Sequence, residues 1–217
     1  MQEARPLRAD ARQNRDRILA AARDVFVELG PGAPLEEIAR RAGTGIATLY
    51  RRFPYRHALM RAVVLDALER TAEEARLATE EEPDAFRGLA RYMHRALDIR
   101  VAAVIPALLD EISMDDEEIR AVSDPGVKLI QGLIDAAKRD GALRPDVTFG
   151  DIGTLVVRLS RPLPGSFPRE VNDRLGHRHL DLLINGLRAT QGAEADIGGP
   201  AMTFDDLQEM RRSPSPD

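Results

Sequence analysis

Hydrogen-bond donors suited to a polyanion are concentrated in one short segment, AGTGIATLYRRFPYRHALM, at residues 42–60. Arg51, Arg52 and Arg56 carry planar guanidinium groups, which match a phosphate or the O6 and N7 atoms of guanine with two donors. Tyr50 adds a hydroxyl for a phosphate oxygen. These residue types are typical of a nucleic-acid surface, although on charge alone they also fit a solvated helix face.

The charge of the chain is unevenly distributed. The 217 residues have a net charge of -5, but residues 1–61 carry 12 arginines against 7 acidic residues, so this part is +5 and the remainder is -10. A basic end favours a polyanionic partner. We interpret residues 1–12 as a basic arm, which either follows a DNA backbone or minor groove or is disordered and merely solubilising. The leading arginines are Arg5, Arg8, Arg12, Arg15 and Arg17.

The composition excludes several classes of protein. Hydrophobic residues make up 43% and charged residues 31%, which is typical of a globular chain. The absence of cysteine excludes disulfides, thiolate metal sites and cysteine nucleophiles. The start, MQEARPLRADARQNRDR, has no apolar stretch of a secretory signal, and no later run reaches the roughly 18 apolar residues of a membrane helix. We therefore expect a cytoplasmic protein without a membrane partner.

Apolar residues recur at helical spacing along most of the chain, and Pro, Gly and Asp separate the periodic segments. No segment alternates like a strand flanked by hairpin signals, so the predicted fold class is all-α. The predicted helices lie near residues 14–29, 35–42, 46–53, 56–81, 86–106, 108–114, 127–138, 152–159 and 171–187.

The second and third of these helices are short and are joined by about three residues that include glycine, which predicts a helix-turn-helix. In this motif the second helix enters the major groove of DNA. Ile46, Leu49 and Phe53 are expected to face inward, and Ala47 is small enough for a close approach to the bases. The predicted DNA-binding residues are Thr44, Gly45, Ala47, Thr48, Tyr50, Arg51, Arg52 and Arg56.

The segment LEEIARRAGTGIATLYRRFPYRHALM resembles the DNA-binding segment of the TetR family of bacterial transcription regulators, and the resemblance covers about residues 13–65. Two positions depart from the family pattern. Gly45 stands where a capping serine is common, and GPGAPL lacks the threonine often seen before the second helix, which puts individual phosphate contacts in doubt. The matching positions are Ile38, Ala39, Ala42, Gly43, Thr48, Leu49, Tyr50, Phe53, Arg56 and Leu59.

The resemblance implies a three-helix DNA-binding domain at residues 13–55, a larger helical effector-binding and dimerisation domain at 56–189, and a flexible tail at 190–217. It implies a sequence-specific regulator and not an enzyme, with no cofactor. As in the family, a repressor would leave a palindromic operator when a small molecule, here unknown, binds the C-terminal domain. The long helix at residues 56–81 would transmit this change.

Two apolar sets are candidates for the effector pocket and for a homodimer interface, since a single helix-turn-helix rarely secures a DNA site alone. Core packing is the alternative for both sets: periodicity favours it for each residue of the effector set taken singly and does not separate it from an interface in the other set. The effector set, in which methionines would adapt to an apolar ligand, is Phe86, Leu89, Tyr92, Met93, Leu97, Met114, Ile130 and Leu133. The interface set, on the last two long helices, is Ile152, Leu155, Val156, Leu159, Leu180, Leu183, Ile184 and Leu187.

Four alternatives stay open at the level of sequence. A di-iron enzyme would use Glu-x-x-His pairs, but no histidine has a glutamate three residues earlier, and His177 and His179 would lie on different sides of a helix. A helix-turn-helix that serves only protein interactions would not need Arg51 and Arg52. The acidic segment LLDEISMDDEE is either a cation site or a solvated loop, and the tail from Thr203 either forms a brief helix or is disordered.

Overall fold

A computed structural model describes residues 4–161, 163, 168–189, 199, 203 and 206. This part of the chain contains no strand, only an isolated antiparallel bridge between Leu143 and Arg188, so the predicted all-α class is confirmed. The helices are α1 (Ala4–Leu29), α2 (Leu35–Arg41), α3 (Ile46–Arg52), α4 (Arg56–Glu81), α5 (Ala85–Ile99), α6 (Val101–Leu108), α7 (Glu117–Arg139), α8 (Phe149–Leu159) and α9 (Arg169–Gly186).

The described residues form two compact units. The first consists of the chain up to Arg70 together with Ala103–Ser123, and the second consists of Thr71–Ala102 and the described residues from Asp124 onward. Three helices, α4, α6 and α7, therefore have residues in both units. The division into domains at residue 56 stays a prediction.

The turn between α2 and α3 forms as the sequence predicts. Gly43 has φ +64°, in the left-handed region, where only glycine is free of a Cβ clash. The amide of Gly43 donates to the Arg40 carbonyl at 3.2 Å, and the amide of Thr44 donates to the Ala39 carbonyl at 3.0 Å. This pair of bonds is a Schellman motif, which ends α2 and turns the chain into α3. Pro34, expected at the first helical position, is the N-cap residue instead.

The first helix is longer than its apolar pattern predicts. Periodicity indicates a start near Asn14, but α1 begins at Ala4, so residues 4–12 of the predicted arm are helical. Ala, Arg and Leu in this stretch favour a helix, and Pro6 is tolerated because first-turn amides have no partner within the helix. Leu7 is the one large aliphatic side chain of the extension, which is why the apolar pattern did not reveal it.

The predicted boundaries in the middle of the chain are wrong. The series expected to continue to Pro106 breaks at Arg100, and Pro106 lies inside α6. The helix expected at residues 108–114 is a turn segment after α6, while α7 begins ten residues before Val127 and includes Pro125. A helix tolerates an internal proline when packing offsets the lost hydrogen bond, and burial of Ile119 before Pro125 and of Ile130 after it supplies that packing.

The core of the first unit joins the four N-terminal helices. Because their apolar residues repeat every three to four positions, each helix buries one stripe. Fully buried side chains include Ile18 and Phe26 of α1, Ile38 of α2, Leu49 of α3 and Leu59 of α4. Burial of one such side chain contributes about 1.5–3 kcal/mol. The short helices α2 and α3 are too short to be stable alone, so this core fixes them.

One ion pair is buried in the same unit. Asp66 of α4 is 6% exposed, and its Oδ2 accepts from Arg23 Nη1 of α1 at 2.8 Å and from Arg70 Nε at 3.0 Å. Burial lowers the pKa of Arg23, and the charge of Asp66 partly opposes that shift. The pair ties α1 to the long helix.

Close packing in the second unit depends on Gly88 of α5. A Cβ at this position would lie 2.9 Å from the Ala78 carbonyl oxygen and 2.9 Å from Leu133 Cδ2. A backbone oxygen cannot move aside without shifting α4, so the absence of a side chain allows the helices to approach.

We expect Gly88→Ala to destabilise the protein, because overpacking of about 1–3 kcal/mol exceeds the gain of about 1 kcal/mol in helix propensity. Urea denaturation of the full chain measures the difference. The matched control is Gly132→Ala on α7, where a Cβ would meet nothing within 4 Å; this change should be neutral or stabilising. Equal midpoints for the two variants would show that Gly88 is not a packing requirement.

Candidate nucleic-acid interface and effector site

One side of helix α3 is buried in the protein, and the opposite side is exposed. Leu49 is 0% exposed and Phe53 is buried, whereas Ile46 is half-buried. The carbonyl of Gly45, the N-cap residue, accepts from the amides of Thr48 and Leu49. Gly45 provides no side-chain cap, as its lack of a hydroxyl requires.

The opposite side of α3 is exposed. Ala47, Tyr50 and Arg51 are exposed, and Thr48 is half-buried with its Oγ1 3.4 Å from Arg51 Nη2. In the preceding turn, Gly45 is exposed and Thr44 is half-buried. A small residue therefore lies beside an arginine and a tyrosine on one accessible face, an arrangement that suits the edges of bases in a major groove.

One exposed aromatic residue was not predicted. Tyr55, in the turn between α3 and α4, is 63% exposed. The sequence could have indicated this exposure, because Tyr55 follows Pro54 just beyond the basic end of α3. A tyrosine hydroxyl here can donate to a phosphate oxygen.

Two arginines of the predicted set are bound to the protein itself. Arg52 Nη2 donates to the Ala11 carbonyl at 2.8 Å, which joins the end of α3 to α1. Arg56 Nη1 donates to the carbonyls of Pro31 at 2.9 Å and Ala33 at 2.6 Å, in the loop between α1 and α2. The structure thus places both guanidinium groups where they position neighbouring segments.

The arginines of α2 are neutralised by acidic neighbours. Glu37 accepts from Arg40 and Arg41, and these hydrogen bonds lower the pKa of Glu37 to about 2. Arg41 also pairs with Glu28 of α1 at 2.5 Å. Because carboxylates pair with both arginines of α2, the positive charge of the exposed face comes mainly from α3.

Residues 4–12 of the predicted arm form part of α1. Arg12 and Arg17 are exposed and Arg15 is half-buried, whereas the side chains of Arg5 and Arg8 lie outside the described residues. The exposed pair adds positive charge to the first unit.

Seven residues of the predicted effector set are buried in the second unit. Phe86, Leu89, Tyr92, Met93 and Leu97 on α5, and Ile130 and Leu133 on α7, are all buried. The guanidinium of Arg188 covers Phe86, 4.3 Å from the ring centroid. Burial raises the pKa of the Tyr92 hydroxyl well above its usual range. Met114 is half-buried and belongs to the first unit, apart from the other seven.

A cavity of about 220 Å³ in the second unit shares only Leu97 with that set. It lies at the C-terminal ends of α5 and α8 and the N-terminal part of α9, and its wall includes Arg100, Arg161 and Arg169. The sequence pattern missed it because its charged residues come from segments 60 to 70 positions apart.

The predicted interface set divides into two groups. Ile152 and Val156 of α8 and Leu180 and Ile184 of α9 are buried within the chain. The half-buried members are Leu155, Leu159, Leu183 and Leu187. Leu182 of α9, which the prediction omitted, is 60% exposed.

The histidines of the rival metal site have other partners. The Nδ1 atoms of His94 and His177 are 2.8 Å apart, and the two rings stack. Their Nε2 atoms lie 3.1 Å from Asp181 and 2.9 Å from Asp98, respectively. In the described part of the chain, no group of three or more His, Cys, Asp or Glu residues could hold a metal ion. Within the same part, no helix is both long and apolar enough to cross a membrane.

Comparison with known proteins gives matches over both halves of the chain. Residues 18–63 match the family of bacterial regulatory proteins of the tetR type, and residues 84–189 match the C-terminal domain of SbtR-like transcriptional regulators. No match was found among curated proteins.

Several solved structures are similar to this chain. The TetR transcriptional regulator SCO0520 from Streptomyces coelicolor is 31% identical with a TM-score of 0.56, and the match covers 81% of this chain and 99% of that one. A TetR regulatory protein from Mycobacterium vanbaalenii is 31% identical with a TM-score of 0.54, over 84% and 99% of the two chains. LfrR from Mycobacterium smegmatis, solved in complex with proflavine, has the same fold at 22% identity, with a TM-score of 0.56 over 79% and 96%.

The helix-turn-helix with exposed donors, the helical second unit and these matches define a DNA-binding transcriptional regulator with a ligand-binding C-terminal domain. Such a protein is not an enzyme. The chain belongs to the TetR family.

Proposed function

We propose that this regulator is a homodimeric repressor that binds a palindromic operator in the cytoplasm and leaves it when a small molecule binds the C-terminal domain. The observation that carries the proposal is the accessible face of α3, where Ala47, Tyr50 and Arg51 are exposed beside Thr48. Arg51 is assigned to a base edge. Thr44, Gly45 and Tyr50 are assigned to the backbone of the DNA at the rim of the groove.

Arg52 and Arg56 have a different role in the proposed complex. Because Arg52 holds α1 and Arg56 holds the loop before α2, their main contribution is to fix the segments around the recognition helix. Their charges still attract the phosphate backbone, a contribution that weakens as salt increases.

Dimerisation is proposed through α8 and α9. Leu182 is exposed, and Leu155, Leu159, Leu183 and Leu187 keep part of their surface accessible. Apolar surface of this kind on two neighbouring helices suits a second copy of the chain, since burying it releases about 25 cal/mol per Å². Ile152, Val156, Leu180 and Ile184 serve the core of each protomer and support the interface from beneath.

Release requires that the effector prefer a conformation with wrongly spaced recognition helices. A hundredfold loss of DNA affinity needs about 2.7 kcal/mol of coupling. Helix α4 begins at Arg56 in the first unit and ends in the second, so it provides a continuous connection for that change. LfrR holds proflavine on the same fold, which supports a small organic molecule as the effector. The buried set on α5 and α7 would border its apolar part.

The experiment that tests the proposal is selection of bound duplexes from a random DNA pool with the full chain. We expect an inverted repeat whose half-sites are centred one helical turn apart, about 34–36 Å, because two symmetric recognition helices read successive faces of the groove. A consensus without twofold symmetry would reject the dimeric mode. If no sequence is enriched at moderate salt, DNA reading by α3 is rejected.

A further inference from the structure

We propose that the cavity at the ends of α5, α8 and α9 is a site for the acidic group of the effector, an organic carboxylate or phosphate with a small apolar body. This inference rests on the proposed function, because it specifies the chemical class of the ligand that the C-terminal domain takes. It assigns the acid to Arg100, Arg161 and Arg169, none of which belonged to the set predicted from the sequence.

Positive charge exceeds negative charge around this cavity. Three arginines line it, against two carboxylates, Asp98 and Asp173. Asp173 is shared, since Arg100 Nη2 donates to its Oδ1 at 3.1 Å and Arg169 Nε lies 3.5 Å from its Oδ2.

The other carboxylate is already occupied by a histidine and an arginine outside the arginine group. Asp98 Oδ1 lies 2.9 Å from His177 Nε2, and Asp98 Oδ2 accepts from Arg95 Nη1 at 3.4 Å. Asp98 therefore does not neutralise Arg161. An anion entering the cavity would meet three guanidinium groups in its wall, and guanidinium groups bind carboxylates and phosphates with two parallel hydrogen bonds.

The backbone at Arg100 supports a functional role. This residue is the C-cap of α5 and has φ +58°, the one non-glycine residue with positive φ in the described chain. Glycine is the usual residue in this conformation, and a side chain there costs about 1–2 kcal/mol. The Arg100 residue is nevertheless only 8% exposed and lies in the wall of the cavity. Strain retained at such a position is typical of functional sites.

Part of the remaining wall is apolar and lies beside the polar residues Ser160, Asn172 and His177. Leu97 and Leu159 line it together with Gly176 of α9. Gly176 packs closely here, since a Cβ at this position would lie 3.5 Å from Leu97 Cδ2 and 3.6 Å from the Leu159 carbonyl oxygen, both ordinary van der Waals distances. The cavity volume of about 220 Å³ suits a small molecule with one acidic end and a compact apolar end.

Isothermal titration of the full chain with three probes tests the inference. Benzoate and phenyl phosphate carry the two acids on the same ring, and benzamide is the neutral counterpart. We expect at least one acid to bind about tenfold or more tightly than benzamide, because charge-assisted hydrogen bonds contribute more than neutral ones. The acid that binds more tightly shows whether the anionic group of the ligand is a carboxylate or a phosphate. Equal binding of all three probes, or no binding at about 1 mM, overturns the inference.

Variants separate the site from general surface charge. Arg161→Gln with Arg169→Gln should weaken the preferred acid about tenfold, and both residues are exposed, so folding is retained. The control is Arg158→Gln with Arg174→Gln, two exposed arginines of α8 and α9 that lie outside the cavity wall; this double variant should bind as the wild type does. Equal losses in the two double variants, at unchanged melting temperature, would reject the cavity as the site.

Failure of this inference is distinguishable from failure of the proposed function. Binding of the selected duplex by the ligand-free chain does not involve the cavity. If that binding is intact but no acid binds, only the effector class is wrong. If no duplex is bound while an acid binds at the arginines, the anion site is supported and the repressor function is rejected.

Discussion

Arg51→Ala should weaken binding of the selected operator by roughly 5- to 150-fold per half-site, which corresponds to about 1–3 kcal/mol for a bidentate contact to guanine. The two half-sites of a dimer multiply this loss. Arg51 is exposed on the open face of α3 beside Thr48, so its removal leaves the buried side of the helix unchanged. Electrophoretic mobility shift or fluorescence anisotropy with the selected duplex measures the loss.

The control is Arg76→Ala, which removes an exposed arginine of α4 that pairs with Glu73 and Glu80 in the second unit. It should leave operator affinity unchanged. The comparison must also include a scrambled duplex and a series of salt concentrations. A base contact is lost only on the operator, whereas loss of a phosphate contact weakens both duplexes and reduces the salt slope by about 1. An Arg51→Ala variant that weakens both duplexes equally would assign Arg51 to the backbone and not to a base.

Asp66→Ala should destabilise the first unit by about 3–5 kcal/mol, since removing one partner of a buried ion pair leaves the other charge uncompensated. Asp66 accepts from Arg23 and Arg70, and Arg23 is itself almost buried between α1 and α4. Burial already lowers the pKa of Arg23, and the charge of Asp66 is the largest contribution that opposes this desolvation. Chemical denaturation of the full chain, followed by circular dichroism, gives the change in the free energy of unfolding.

The matched control for this measurement is Glu73→Ala on the same helix. Glu73 pairs with Arg76 in an exposed position, and exposed pairs contribute little because water and salt screen them. We therefore expect almost no change. If Asp66→Ala loses no more stability than Glu73→Ala, the buried pair does not hold α1 to α4. A stable Asp66→Ala variant that no longer binds the operator would instead give Asp66 a role in positioning the recognition helix.

Local signals were sufficient to predict the helix-turn-helix. The left-handed turn at Gly43 and the burial of Leu49 and Phe53 follow from residue type and spacing within about 20 positions. Helical periodicity also predicted α4 with the bounds that the structure shows. These features are local because a helix places residues three or four apart on one face and because glycine alone adopts a positive φ freely.

Boundaries set by packing were not predictable in the same way. Arg100 interrupts a continuous apolar series between α5 and α6, and Pro125 lies inside α7 although proline usually ends a helix. In both cases buried contacts with other helices outweigh a local cost of a few kcal/mol. The spacing of apolar residues along the sequence carries no information about those contacts, so it could not predict these boundaries.

By itself, the sequence determined the all-α class, the recognition helix and the side of that helix that faces away from the core, because these depend on turn chemistry and on the 3.6-residue period. Only the tertiary structure decided which arginines remain available to a ligand. It binds Arg52 to Ala11 and Arg56 to Pro31 and Ala33, and it gathers the arginines of three helix ends around one cavity. The partners of a long charged side chain come from distant segments, and only folding brings them within hydrogen-bond distance.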